Sequence, residues 1–191
     1  MPISFPQPPP SVLDALGARP EPGFRGSPPV SAQPVFTVGL DEVLEAGGGA
    51  EAERSVSAAP TWRYSRFDAS GQPEVLELPE EDAGRGAPAA AGDDRFGPMI
   101  REALAVADQD PRVGRHDYEA RLYRVPALSL LAVWLHTASA LDLFVPIGRT
   151  PEGLEPNRVY DDSEFMTQLR QAATKAGSAY EEADAPDELG S

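Results

Sequence analysis

The order of apolar and polar positions divides this chain into stretches with a legible period and stretches with none. The clearest period lies between Asp117 and Ile147. Tyr118-Glu119-Ala120-Arg121-Leu122-Tyr123-Arg124-Val125 reads as a strand that Pro126 ends. Leu128 to Leu135 is an apolar run, and Leu141-Asp142-Leu143-Phe144-Val145 returns after Thr137-Ala138-Ser139-Ala140. The short loop predicts an antiparallel hairpin over about 128–147, with a single helix from Leu128 to Leu143 as the competing arrangement. A loop of residues 137–140 groups Leu130, Ala132, Trp134, Leu143, Val145 and Ile147 on one face and Leu131, Val133, Leu135 and Phe144 on the other. Both faces are apolar, so the hairpin must be central and covered on both sides.

A second hairpin is predicted upstream. Thr61-Trp62-Arg63-Tyr64-Ser65-Arg66-Phe67 leads through Asp68-Ala69-Ser70-Gly71 into Glu74-Val75-Leu76-Glu77-Leu78. Trp62 and Tyr64 share one face and Arg63 and Ser65 the other, and the opposite strand carries Glu74 and Glu77, placed to pair with the arginines. Val35 to Leu44 gives a strand-then-helix signal that Gly47-Gly48-Gly49 ends. Met99, Ile100, Ala103, Leu104 and Ala107 recur at helical spacing after Pro98 and stop before Pro111. Asp161-Asp162-Ser163-Glu164 offers a capping box for a last helix carrying Phe165, Met166 and Leu169, with Gly177 as its natural end.

Between these segments the pattern disappears. Ten prolines in residues 1–34 fix φ and delete donors, so that stretch reads as a flexible, polyproline-like arm, broken at most by one helical turn near Ser11–Leu16. Its apolar residues Ile3, Phe5, Val12, Leu13 and Leu16 can dock on a surface. An acidic loop rich in glycine and alanine lies near 80–95, and residues 177–191 read as a solvated acidic tail. The expected organisation is therefore an arm over 1–34, one domain over 35–176 and a tail. The fold class is α+β: a small antiparallel sheet with a central hairpin, packed by two or three helices and flanked by disordered tails.

Charge narrows the partners. Thirty-one acidic residues face 16 basic ones, a formal charge of −15, and all the basic residues but Lys175 are arginines. No stretch clusters enough arginine to release counterions from a phosphate backbone, so nucleic acid is not an expected partner, nor is an anionic membrane surface. The absence of cysteine excludes disulfides, thiolate nucleophiles and thiolate-bound metals. With neither a secretion signal at Met1-Pro2-Ile3-Ser4-Phe5-Pro6 nor an apolar run long enough to span a bilayer, a cytoplasmic address is expected.

Candidate chemistry is sparse. The triglycine lacks the lysine of a phosphate-binding loop, and no Gly-x-Ser-x-Gly elbow occurs. His116-Asp117-Tyr118-Glu119 alternates across a strand and does not converge on a metal. His136 and Asp142 could form a base and its orienting carboxylate, but the four-residue loop puts them on opposite faces. The chain is thus read as a non-catalytic accessory protein with no cofactor and no metal, docking on another protein or on itself through its arm or an apolar sheet face. The alternatives are a small enzyme or small-molecule-binding domain with an aromatic-walled pocket, and a structural component of a larger assembly. The candidate binding residues are Ile3, Phe5, Trp62, Tyr64, Arg121, Arg124, Trp134 and His136, with Tyr118 and Tyr123 as further pocket walls and Arg121 or Arg124 as the anchor for an anion.

Overall fold

The computed structural model describes residues 3–15, 32–45, 59–67, 73–83, 89–92 and 95–184. In chain order the elements are β1 (Ile3–Ser4), α1 (Pro10–Ala15), β2 (Gln33–Thr37), α2 (Leu40–Glu45), β3 (Thr61–Phe67), β4 (Pro73–Pro79), β5 (Ala89–Gly92), α3 (Phe96–Asp108), β6 (Tyr118–Val125), β7 (Leu130–His136), β8 (Leu143–Ile147), β9 (Tyr160–Asp161) and α4 (Asp162–Asp184). The fold is α+β. Its sheet is larger than the small one expected: among the described residues nine strands form one sheet, ordered β5-β4-β3-β2-β6-β7-β8-β9, with β1 also on β6. Most neighbours are antiparallel, but β1 and β2 both run parallel to β6 and share its edge, at Tyr118–Glu119 and at Leu122–Arg124 respectively.

The hairpin over 130–147 forms, and the single helix does not. β-branched and aromatic side chains covered on both faces suit a central strand. Its register differs by one residue from expectation. Leu135 pairs with Leu143, so the loop comprises residues 137–142 rather than 137–140. Leu131, Val133 and Leu135 therefore share a face with Leu143, Val145 and Ile147, while Leu130, Ala132 and Trp134 join Phe144 on the other.

Helices cover both faces. Ile100, Ala103 and Ala107 of α3 pack on the first face, with Val35, Tyr118, Ala120 and Leu122. Phe165, Met166, Leu169 and Ala173 of α4 and Val43 of α2 pack on the second, around an aromatic stack in which the Phe144 and Phe165 rings lie 4.2 Å apart and nearly parallel. Burying side chains of this size stabilises by roughly 1.5–3 kcal/mol each. Asp161 caps α4, its Oδ1 accepting the Glu164 N–H at 2.9 Å. The helix does not stop at Gly177 but continues to Asp184. One glycine costs a helix only about 1 kcal/mol, and the alanine and glutamate that follow are good helix formers.

The proline-rich segment contributes to this body. Ile3 pairs alongside Tyr118, and Val12 of α1 is fully buried with Trp62, Leu76 and Leu78 against β3 and β4. Pro10 opens α1, where its fixed φ and missing N–H are tolerated. The rest of the expected arm, 1–2 and 16–31, lies outside the described residues, as do 84–88 and 93–94 of the expected acidic loop and 185–191 of the tail. Glu80–Asp82 forms a single helical turn.

Candidate functional site

The first face of the sheet extends beyond the N-terminal end of α3, and there it opens into a cleft of about 500 Å³. The register puts charged residues on its floor. Arg63 of β3 opposes Glu77 of β4, and Arg124 of β6 opposes Leu131 of β7, so these side chains rise from the same face as Val35 and Ile147. Arg95 and Phe96, at the start of α3, and Arg149, just past β8, complete the wall. Gly148, at φ +67°, makes the turn that carries Arg149 to this position. Among the described residues four arginines and one carboxylate thus line the cleft, with an apolar floor of Val35, Leu131 and Ile147.

The arginines are held in different ways. Arg63 is only 6% exposed, and its guanidinium lies 5.5 Å from the centre of the Phe96 ring, a cation–π contact. Arg124 donates to Thr37 Oγ1 at 3.1 Å and reaches the Glu77 carboxylate at 3.3 Å. Arg95 and Arg149 are exposed and make no ion pair among the described residues. Ser129, an exposed residue at the edge of the cleft, holds a left-handed backbone, φ 51° and ψ 29°. That conformation is uncommon for a residue with a Cβ.

Of the residues singled out in the sequence, Arg124 alone lines the cleft. Ile3 is buried in the chain's own core, and Phe5, 39% exposed, lies beside Ile100, Leu104 and Leu122. Trp62 and Tyr64 pack under α1 on the other face, and the Trp62 indole N–H donates to Glu80 at 2.7 Å. Tyr123 and Trp134 belong to the aromatic core. Arg121 lies over the Trp134 ring at 4.9 Å and donates to Glu119. Tyr118 is buried, and its hydroxyl donates to the Leu141 carbonyl; burial, reinforced by the nearby Asp142 charge, pushes its phenol pKa upward. The expected aromatic-walled pocket is not assembled from these residues.

His136 and Asp142 do meet, against the expectation from the shorter loop. The shifted register sets them on one side, with His136 Nδ1 3.1 Å from Asp142 Oδ2. The same oxygen accepts the Trp134 indole N–H at 2.7 Å, and Oδ1 accepts the Thr137 N–H at 3.0 Å. A carboxylate only accepts, so Nδ1 carries the proton. Asp142 is thereby committed to closing the 137–142 loop, and His136 is not among the residues that line the cleft.

Arg63, Glu77, Arg95 and Arg149 were not among the binding residues expected from the sequence. Arg63 read as the outer face of a hairpin, and Arg95 and Arg149 stand in connections without a period. Only the scarcity of basic residues marks them. Among the described residues, no group of three histidine, aspartate or glutamate side chains is placed to hold a metal ion, and no helix is long and apolar enough to cross a membrane. No family model, curated protein or solved structure matches the chain.

Proposed function

We propose that this chain is a non-catalytic binding domain whose ligand is a small organic anion held in the arginine cleft. One observation carries the reading: a chain of net charge −15 gathers four of its 16 basic residues around one concave, partly apolar space. Guanidinium groups present planar, forked donors suited to carboxylate and phosphate oxygens. A cleft of this volume falls in the range of ligand sites, where an apolar lining buries the body of a ligand and a few polar groups orient it. The acidic remainder of the surface repels nonspecific polyanions and leaves the cleft as the place where an anion is attracted.

The docking role suggested by the proline-rich segment has less support. Both faces of the central hairpin are covered within the chain, and the large apolar side chains exposed among the described residues, Phe5, Leu44 and Leu141, come from separate elements. Single exposed apolar residues do not make a docking face.

Thermal unfolding in low salt tests the proposal, with benzoate and phenyl phosphate compared against uncharged benzyl alcohol. At a hundredfold excess over its Kd a ligand stabilises by about 2.7 kcal/mol, which raises Tm by several degrees. The anions should raise Tm and benzyl alcohol should not, and Arg95→Gln/Arg149→Gln should abolish the response because both positions are exposed and dispensable for folding. An equal response to benzyl alcohol, or an undiminished response in the double variant, would contradict the assignment.

A further inference from the structure

We infer, on the reading of the cleft as an anion site, that Glu77 is a built-in competitor of the ligand: its carboxylate occupies the Arg124 guanidinium in the free protein, and the ligand's anionic group takes its place. Glu77 stands on β4 and Arg124 on β6, and β3 and β2 lie between them in the sheet. Neighbouring strands are ~4.8 Å apart, so three spacings separate the two backbones. The two side chains nevertheless meet within the cleft, which Val35 of the intervening β2 also lines. The ion pair is therefore a bridge across the concave face. A ligand that uses Arg124 must share its guanidinium with Glu77 or displace it.

The bridge is loosely made. Arg124 Nη1 lies 3.3 Å from Glu77 Oε2 and 3.5 Å from Oε1. The pairs Arg112–Asp110, Arg121–Glu119 and Arg158–Glu164 close to 2.7 Å, the ordinary length of a charge-assisted hydrogen bond. Both Glu77 oxygens share one nitrogen, so the stronger arrangement of two parallel bonds to a carboxylate is not formed. The Arg124 and Glu77 side chains are 33% and 20% exposed, and water screens a pair so placed, which keeps its exchange for another anion inexpensive.

Neither residue loses its support when the bridge opens. Arg124 Nε donates to Thr37 Oγ1 at 3.1 Å, and Thr37 is its partner in the β2–β6 register, so the guanidinium stays anchored without Glu77. Glu77 lies opposite Arg63 in the β3–β4 register, which leaves a cross-strand cation beside the released carboxylate.

Isothermal titration of the full chain with benzoate, in the wild type, Glu77→Gln, Arg124→Gln and the double variant, tests the exchange. Glu77→Gln should tighten benzoate binding about two- to fivefold, the equivalent of one partly exposed ion pair, and Arg124→Gln should weaken it. In the Arg124→Gln background the change at Glu77 should bring no gain, because the two residues are coupled. A gain that persists there in full reflects charge repulsion alone and overturns the inference. Weaker or unchanged binding by Glu77→Gln also overturns it, since the bridge is then a support for Arg124. In the unsubstituted protein the Glu77 Cδ resonance should move, at benzoate saturation, to the position it has in ligand-free Arg124→Gln; a resonance that stays in place overturns the inference without recourse to binding by a variant. In each of these cases the anion cleft stands. If neither the wild type nor Glu77→Gln gives a saturable titration, the cleft reading itself fails and the inference with it.

Discussion

Trp134→Ala should lower the stability of the fold by about 3–5 kcal/mol, a large part of the 5–15 kcal/mol that holds a domain of this size together. Trp134 is fully buried at the centre of the sheet. Its ring stacks on Phe144, meets Phe36 and Tyr123 edge-on, and carries the Arg121 guanidinium on its face. Truncation therefore opens a cavity between the sheet and α4 that rigid neighbours cannot fill. It also removes a donor from Asp142 Oδ2. Trp134→Phe keeps most of the packing and loses only the hydrogen bond, so it should cost about 1–3 kcal/mol. Urea unfolding checks both: with a slope near 1–3 kcal/mol/M, the alanine variant should move the midpoint by roughly 2 M and the phenylalanine variant by less than half of that. A shift for Trp134→Ala no larger than that for Trp134→Phe would contradict the packing described.

Asp142→Ala should be the second most damaging change, at about 2–4 kcal/mol. It strands the buried indole N–H of Trp134 and the Thr137 N–H together, and it releases His136. Asp142→Asn keeps the shape but replaces one acceptor by a donor. Whichever way the amide turns, an N–H faces another N–H, so asparagine should recover only part of the loss. Because Asp142 and Trp134 share a bond, the double variant Trp134→Phe/Asp142→Ala should cost less than the two single changes together. Strict additivity in a urea-melt cycle would show that the loop is closed by something else.

These two residues also explain what the sequence made legible. The hairpins, the strand before Pro126 and the helices starting near Pro98 and Asp161 all follow from period and punctuation, because burial on a sheet face or a helix stripe imposes that period directly. The register of the central hairpin did not follow, because it is set by a loop whose length the apolar pattern leaves open. Asp142 supplies the missing determinant. Its carboxylate, by accepting the Thr137 N–H, turns residues 137–142 into the loop, and one residue of shift exchanges which side chains share a face.

The cleft was still less legible. Its charged residues come from β3, β4, β6, the start of α3 and the connection after β8, separated by up to 86 positions between Arg63 and Arg149, and its floor comes from β2, β7 and β8. No local spacing reveals such a site. Arg124 was singled out because it sits on a well-patterned strand, but its three companions became a group only when the sheet order was known. The described part of the proline-rich segment departs from its composition for the opposite reason. Composition argued for an arm, yet Ile3 and Val12 find apolar surface on β6 and on β3 and β4, and proline at the first position of α1 favours the short helix that carries Val12 there.

The central claim is that the arginine cleft is where this chain binds an anion, and the side-chain Nε–H resonances of arginine report on it most directly. In a nitrogen-15 NMR titration with phenyl phosphate, the account predicts saturable shifts for Arg63, Arg95, Arg124 and Arg149, accompanied by the amides of Phe96 and Ser129, while Arg112 and Arg158, which are engaged elsewhere, stay in place. Shifts spread over all exposed arginines in proportion to their accessibility, or confined to Arg112 and Arg158, would contradict it.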